Sequence, residues 1–291
     1  MIVLLMMLMT TSDWNVRGHV PLNEFIVQAH RGAGELAEEN TLEAFELGWK
    51  LGCVPEADLR TTKDGVIVAF HDNNFARVVK DVSPELKEKG VKDITFAELQ
   101  KLDVGNGRHV TRMLDVFALM TSKPGRRLYL DIKNVDLSRL AEEVKAAKIE
   151  SQVILASTKY KEIIRPWKKL VPQSLTLYWM GGTEVELEKR FEELRATTFA
   201  DVTHLQIHTH LLKDAKEIKR DSVNPFVESD AFLIEKGKEI RSHGILFQTL
   251  PYGGNTKEIY WKLLDLGLMS FATDHPDVTW DAVKSYYAEG N

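Results

Sequence analysis

Between Gln28 and Asp72 the sequence places two histidines, His30 and His71, an arginine, Arg31, and two spaced carboxylates, Glu56 and Asp58, at the ends of short apolar runs. Such runs are candidate strands. Polar groups at the C-terminal ends of strands are where barrel and open-sheet enzymes carry their chemistry. Strand side chains alternate between faces, so Glu56 and Asp58 share one face of their run, and Gln28 and His30 share one face of theirs. Further on, Tyr129, Asp131 and Lys133 alternate with Leu128, Leu130 and Ile132. The apolar set belongs against outer helices, which turns Asp131 and Lys133 inward. Glu56, Asp58 and Asp131, from two neighbouring strands, then converge near one mouth. Held together in a low-dielectric site they repel one another, and a bound divalent cation removes the conflict. All-oxygen ligands suit Mg²⁺ or Ca²⁺ better than zinc. The same carboxylates could also form ordinary ion pairs with Arg60 or Lys133.

The elements that must position these groups follow from periodicity. Strands are expected over 25–29, 54–60, 127–132, 153–157, 175–179, 204–210, 245–249 and 270–273. Helices are expected over 40–51, 137–147, 184–195, 226–242, 256–266 and 278–287, with another running through Ile163 and Trp167. Lys63-Asp64-Gly65 reads as a turn into a further extended run over 66–70, a hairpin. Residues 73–110 break the pattern and read as an insertion over one end of the domain, holding a short capped helix at 95–99. A short helix over 111–121 follows. Eight strand–helix units at about the ~250-residue length of the fold predict an α/β (β/α)8 TIM barrel with a short insertion after the second strand. The open doubly wound sheet is the alternative, but His30-Arg-Gly-Ala-Gly34 does not match the dinucleotide fingerprint. The domain plan is a lead-in over 1–24 and a single barrel domain over 25–291.

The chain has 291 residues, 44% of them hydrophobic, enough for a sizeable core. A net charge of −5 and the lack of a long basic run argue against a nucleic-acid binder held by electrostatics. The lone Cys53 excludes an intrachain disulfide framework and a cysteine zinc site, and reads as a buried small residue. The apolar stretch 1–9 lacks the Lys or Arg of a signal's first region and is too short to span a bilayer, so no stable membrane anchor is evident. It reads as a clipped export signal, a mis-assigned start or a segment packed on the domain. The compartment, exported or cytoplasmic, and the oligomeric state stay open.

The motifs His30-Arg31-Gly32, Glu39-Asn40-Thr41, Glu56-x-Asp58, Thr62-x-Asp64-Gly65 and His71-Asp72 together resemble the glycerophosphodiester phosphodiesterase family, from His30 to the C-terminal region. Thr273-Asp274-His275-Pro276 resembles the family's closing Thr-Asp-x-Pro. The resemblance implies a (β/α)8 barrel and metal-dependent hydrolysis of glycerol phosphodiesters, small-molecule substrates, to glycerol 3-phosphate and an alcohol. It implies Glu56 and Asp58 as metal ligands, His30 and His71 as the acid–base pair, and Arg31 and Lys133 on phosphate. There are departures. Asp131 stands where the family usually carries Glu, the segment after His71 lacks the usual Arg-Thr-Thr apart from Arg77, and Phe247-Gln-Thr-Leu250 replaces an aromatic-led seventh strand. Alternatives are a sphingomyelinase-type phospholipase D on the same barrel, a non-catalytic homologue that lost activity through Asp131, and a carboxylate-pair glycosidase, which gives His30, Arg31 and His71 no task. His204, His208 and His210 read as polar lining rather than a metal cluster, Gln206 and Gln248 as possible substrate contacts, and Asp274 as a residue that fixes the last loop.

Overall fold

In the computed structural model of the chain, residues 14–212, 218–221 and 224–289 are described. The apolar stretch 1–9 lies outside them. The first third of the chain gives β1 (Ile26–Ala29), α1 (Leu42–Lys50), β2 (Val54–Thr61), β3 (Ile67–Ala69), α2 (Pro84–Lys87), α3 (Phe96–Leu99) and β4 (Thr111–Arg112). The middle gives α4 (Met113–Thr121), β5 (Leu128–Asn134), α5 (Leu137–Ala147), β6 (Val153–Ser157), α6 (Arg165–Leu170), β7 (Leu175–Met180) and α7 (Glu184–Arg195). Then come β8 (His204–His210), α8 (Asp230–Ser242), β9 (Leu246–Tyr252), α9 (Lys257–Asp265), β10 (Ser270–Thr273) and α10 (Pro276–Ala288).

Eight strands pair in parallel in the order β1-β10-β9-β8-β7-β6-β5-β2, and β2 closes back on β1 through Gln28↔Val54 and Ala29↔Pro55. This is a (β/α)8 barrel. β3 and β4 lie outside the ring, β3 pairing antiparallel with β2 and β4 antiparallel with β3. Strand alternation explains the core. Val27, Ala57, Leu59, Leu128, Leu130, Leu205 and Phe247 face outward into one cluster with the inner faces of the helices. On α7, a capping box between Thr183 and Glu186 starts the helix, and Leu187, Phe191 and Leu194 recur at helical spacing to meet the sheet. Burial of each such side chain contributes about 1.5–3 kcal/mol. Tyr129, Ile154, Ala156 and Leu177 face inward and fill part of the barrel.

The region after the β2–β3 hairpin packs on its own cluster, which includes Phe70, Phe75, Val79, Ile94 and Val110. It is tied to the hairpin by the amide of Phe96 donating to Asp64 Oδ1 at 2.9 Å. Of the boundaries that differ from the sequence reading, three change what an element does. Thr111 and Arg112 pair with Ala69 and Val68 as a strand before the helix begins. Helix α8 starts at Asp230 rather than 226, because the Ser229 hydroxyl caps it and Phe226 bridges to Leu211. Strand β9 runs on to Tyr252, and that extension brings Tyr252 to the barrel mouth. No helix among the described residues is long and apolar enough to cross a membrane.

Candidate active site

Each residue of the Glu39-Asn40-Thr41 motif has a separate task. The Thr41 hydroxyl accepts from the amide of Ala44 and caps α1. Asn40, buried with φ of 58°, donates Nδ2–H to Asp58 Oδ2 at 2.9 Å and accepts the Asp58 amide at 3.0 Å. Glu39 accepts from Arg31 Nη1 at 2.9 Å and from both terminal nitrogens of Arg77 at 2.7 Å. Glycine is required at position 32, since an added Cβ there would lie 2.7 Å from the Ala44 Cβ at a φ of 107°. The close approach of α1 holds the His30-Arg31 turn, and the Arg31 amide donates to Glu56 Oε2 at 2.8 Å.

Glu56, Asp58 and Asp131 offer oxygens that lie within 4.8 Å of one another. Among the described residues this is the group able to hold a metal; His204, His208 and His210 form none. Lys133 pairs with Asp131 at 2.7 Å and with Asp58 at 3.1 Å, so part of the ion-pair reading holds. Arg60 instead donates to the carbonyls of Phe70 and His71. One lysine does not satisfy three carboxylates. Glu56 Oε1 is buried without a partner, and Asp58 Oδ1 is met only by the Lys133 ammonium. Buried hard oxygens left over in this way fit a divalent cation. Asp131, although a methylene shorter than Glu, still reaches the group.

The electrostatics agree. Burial, and then the neighbouring Asp58 charge, push the Glu56 carboxyl above its ordinary range. Burial also opposes ionisation of Asp58, but the charges of Lys133, His71 and His30 and the Asn40 hydrogen bond together outweigh it and the carboxyl is held low. His30 Nδ1 meets Asp274 Oδ1 at 2.7 Å. Burial works against the His30 imidazolium, yet the Asp274 bond and the Glu56 charge outweigh it, so its pKa is raised. His71 Nδ1 meets Asp72 Oδ1 at 2.7 Å. Burial would raise Asp72, but hydrogen bonds from Arg77 and His71 draw it down to about 2. A carboxylate on each Nδ1 leaves each Nε2 for chemistry.

The strand ends enclose a cavity of about 110 Å³ lined by His30, Arg31, Glu56, His71, Asp131 and Lys133 on one side. Trp179, His208, Leu250 and Tyr252 form the opposite wall. There Trp179 stacks on His208 at 4.8 Å, and Tyr252 meets His208 edge-on at 5.3 Å. Burial drives His208 down to about 3, so it is a neutral ring. All seven residues singled out from the sequence, except Asp58, line this cavity, and Asp58 lies directly beside it through Lys133. Sequence reading missed the pairing of Asp274 with His30, the Glu39–Arg77–Asp72 bridge and the aromatic wall. A larger cavity of about 1150 Å³ lies elsewhere, between the N-terminal ends of β1 and β2 and the turn before β5, and contains none of this chemistry.

The model of the glycerophosphoryl diester phosphodiesterase family matches residues 30–278. A glycerophosphodiester phosphodiesterase of Bacillus subtilis is 25% identical over 280 residues, 91% of this chain and 88% of the relative. Among solved structures, a glycerophosphodiester phosphodiesterase from Agrobacterium tumefaciens has a TM-score of 0.65 at 19% identity, covering 88% of this chain and 99% of that one. A phosphodiesterase of Oleispira antarctica, solved in complex with the product sn-glycerol-3-phosphate, has a TM-score of 0.62 at 24% identity, covering 93% and 100%.

Proposed function

The chain belongs to the glycerophosphoryl diester phosphodiesterase family, and on that premise we propose that it hydrolyses glycerophosphodiesters to glycerol 3-phosphate and an alcohol by histidine acid–base catalysis, with Mg²⁺ or Ca²⁺ held by Glu56, Asp58 and Asp131. The observation that carries the reading is one cavity lined by two carboxylate-oriented imidazoles and by an acidic trio in which a buried Glu56 oxygen has no partner. The Oleispira antarctica relative, with its bound product, supports the substrate class.

A phosphodiester carries one negative charge, and more develops as the nucleophile attacks. When bound, the cation supplies fixed positive charge beside that developing charge. Arg31, aligned by Glu39, and Lys133 hold the phosphate oxygens. One imidazole Nε2 takes the proton of the nucleophile, a water or the neighbouring glycerol hydroxyl. The other gives a proton to the leaving alkoxide. An imidazole pKa near ~6.5 suits both tasks, and each transfer contributes on the order of 10²- to 10⁴-fold in rate. The Trp179–His208–Tyr252 wall limits water on the far side.

The test is release of glycerol 3-phosphate from several glycerophosphodiesters with added Mg²⁺ or Ca²⁺. Turnover that stops in EDTA, and stops in folded His30→Ala and His71→Ala variants, is expected. Full activity in chelator removes the cation from the mechanism, and near-normal turnover by either variant removes the histidine pair.

A further inference from the structure

Beneath the reacting groups the cavity has a floor, and one residue of it has no task in the mechanism above. Gln28 lies on the same face of β1 as His30, one pleat deeper, beside Ala272 of β10. It is 5% exposed, and its Oε1 has no hydrogen-bond partner. The other amide that lines the cavity differs. Gln206 donates Nε2–H to Gln248 Oε1 at 2.8 Å, and its own Oε1 accepts from His208 Nε2 at 2.9 Å. The apolar residues of the same cavity are Ala156 and Leu177 across the barrel and Ala272, which pairs with Gln28. A buried amide oxygen among such residues loses its water without gaining a partner, a state that native interiors rarely tolerate without a ligand, water or functional reason.

We infer that Gln28 is a specificity residue that reads the terminal hydroxyl of the substrate's glycerol arm. This rests on the proposed phosphodiesterase reading, which places the phosphorus at the level of Arg31 and Lys133, one layer above. The three-carbon arm then points down the barrel axis, and its far hydroxyl is the group that reaches the floor. A hydroxyl both donates and accepts, so it satisfies the Gln28 amide whichever of its two ends faces the cavity. That contact requires the hydroxyl to be free, as it is in the glycerophosphodiesters of the proposed reaction. An acyl or alkyl group there would leave the amide unpaired and meet the closed apolar floor.

The experiment compares two diesters of ethanolamine, one with glycerol and one with propane-1,2-diol, which lacks the terminal hydroxyl and keeps the hydroxyl next to the phosphorylated carbon. Their kcat/KM ratio is measured for the full chain, for Gln28→Leu and for the roomier Gln28→Met, each checked for its melting transition. Calorimetry in parallel gives the Kd ratio of glycerol 3-phosphate to propane-1,2-diol 1-phosphate. The wild-type chain is expected to favour glycerol by roughly 5- to 150-fold on both readouts, the range for leaving a buried acceptor unpaired. Both variants bring the ratios close to one. A wild-type ratio near one, or an unchanged ratio in a folded variant, overturns the role of Gln28. If neither diester turns over with either cation, the phosphodiesterase reading itself fails, and the product-binding ratio still decides for or against Gln28.

Discussion

Replacing Asp274 by asparagine isolates the bond that aims His30. The carboxylate accepts from Nδ1–H at 2.7 Å, which fixes the tautomer and leaves Nε2 toward the cavity. Hydrogen bonds to charged groups contribute about 1.5–3 kcal/mol. The Asp274 side chain is 39% exposed, so solvent screening favours the lower half of that range. About 1.5–2 kcal/mol corresponds to a roughly 10- to 30-fold fall in kcat for Asp274→Asn, with KM moving less because Asp274 is not among the groups proposed to hold the phosphate. The pH profile carries a second signature. Burial pulls the His30 pKa down and Asp274 and Glu56 pull it up, for a net rise. Without the Asp274 charge, burial is less opposed, so the limb owned by His30 moves to lower pH. Movement of the acidic limb marks His30 as the base, and movement of the basic limb marks it as the acid. Stability follows the same sign. The His30 contribution is full below about pH 6.5 and is lost as pH rises through the raised folded value, so the variant's deficit is largest in mildly acid solution, above the carboxylate range. Steady-state kinetics across the neutral range and thermal melts at several pH values read both effects. A kcat within about twofold of wild type with neither limb displaced would refute the reasoning.

Asn40→Ala removes two buried bonds to Asp58 and puts alanine at a φ of 58°, for a loss of about 3–5 kcal/mol. At about 2 °C per kcal/mol for a chain of this size, calorimetry should show the melting point falling by roughly 6–10 °C, and an unchanged transition would mean the clamp is dispensable. Arg77→Met frees Asp72 and Glu39 together; with Arg77 half-exposed, kcat should fall by about 3- to 10-fold. A wild-type rate there would confine Arg77 to anchoring its segment. Since burial raises the Glu56 carboxyl, binding of Mg²⁺ should expel a proton and weaken as pH falls through that raised value. Calorimetry in buffers of different ionisation enthalpy measures the proton, and pH-independent binding without release would contradict the site.

The barrel was legible because its strands alternate cleanly. Leu128, Leu130 and Ile132 against Tyr129, Asp131 and Lys133 sorted the outer face from the inner one, and the inner one carries the acidic group. What sequence could not give were contacts made by ring closure. Asp274 reaches His30 across 244 positions because β1 pairs with β10, and nothing local in Thr273-Asp274-His275 points to a distant imidazole. The Asp274 backbone does fix a loop, accepting the Glu35 amide at 2.8 Å, but its side chain does more than that. Trp179 was hidden because both faces of β7 are largely apolar, so parity carries no contrast there. Tyr252 fell beyond the expected end of its strand. The Arg77 bridge joins Glu39 and Asp72 from a region without periodicity, where pattern reading has no purchase.

The most direct measurement is the anomalous difference density of a crystal soaked with Mn²⁺ and glycerol 3-phosphate. The account expects one peak among the carboxylates of Glu56, Asp58 and Asp131, the phosphate beside it, and Nε2 of both His30 and His71 facing the phosphate. A peak elsewhere, no peak at saturating Mn²⁺, or either imidazole turned away from the phosphate would contradict it.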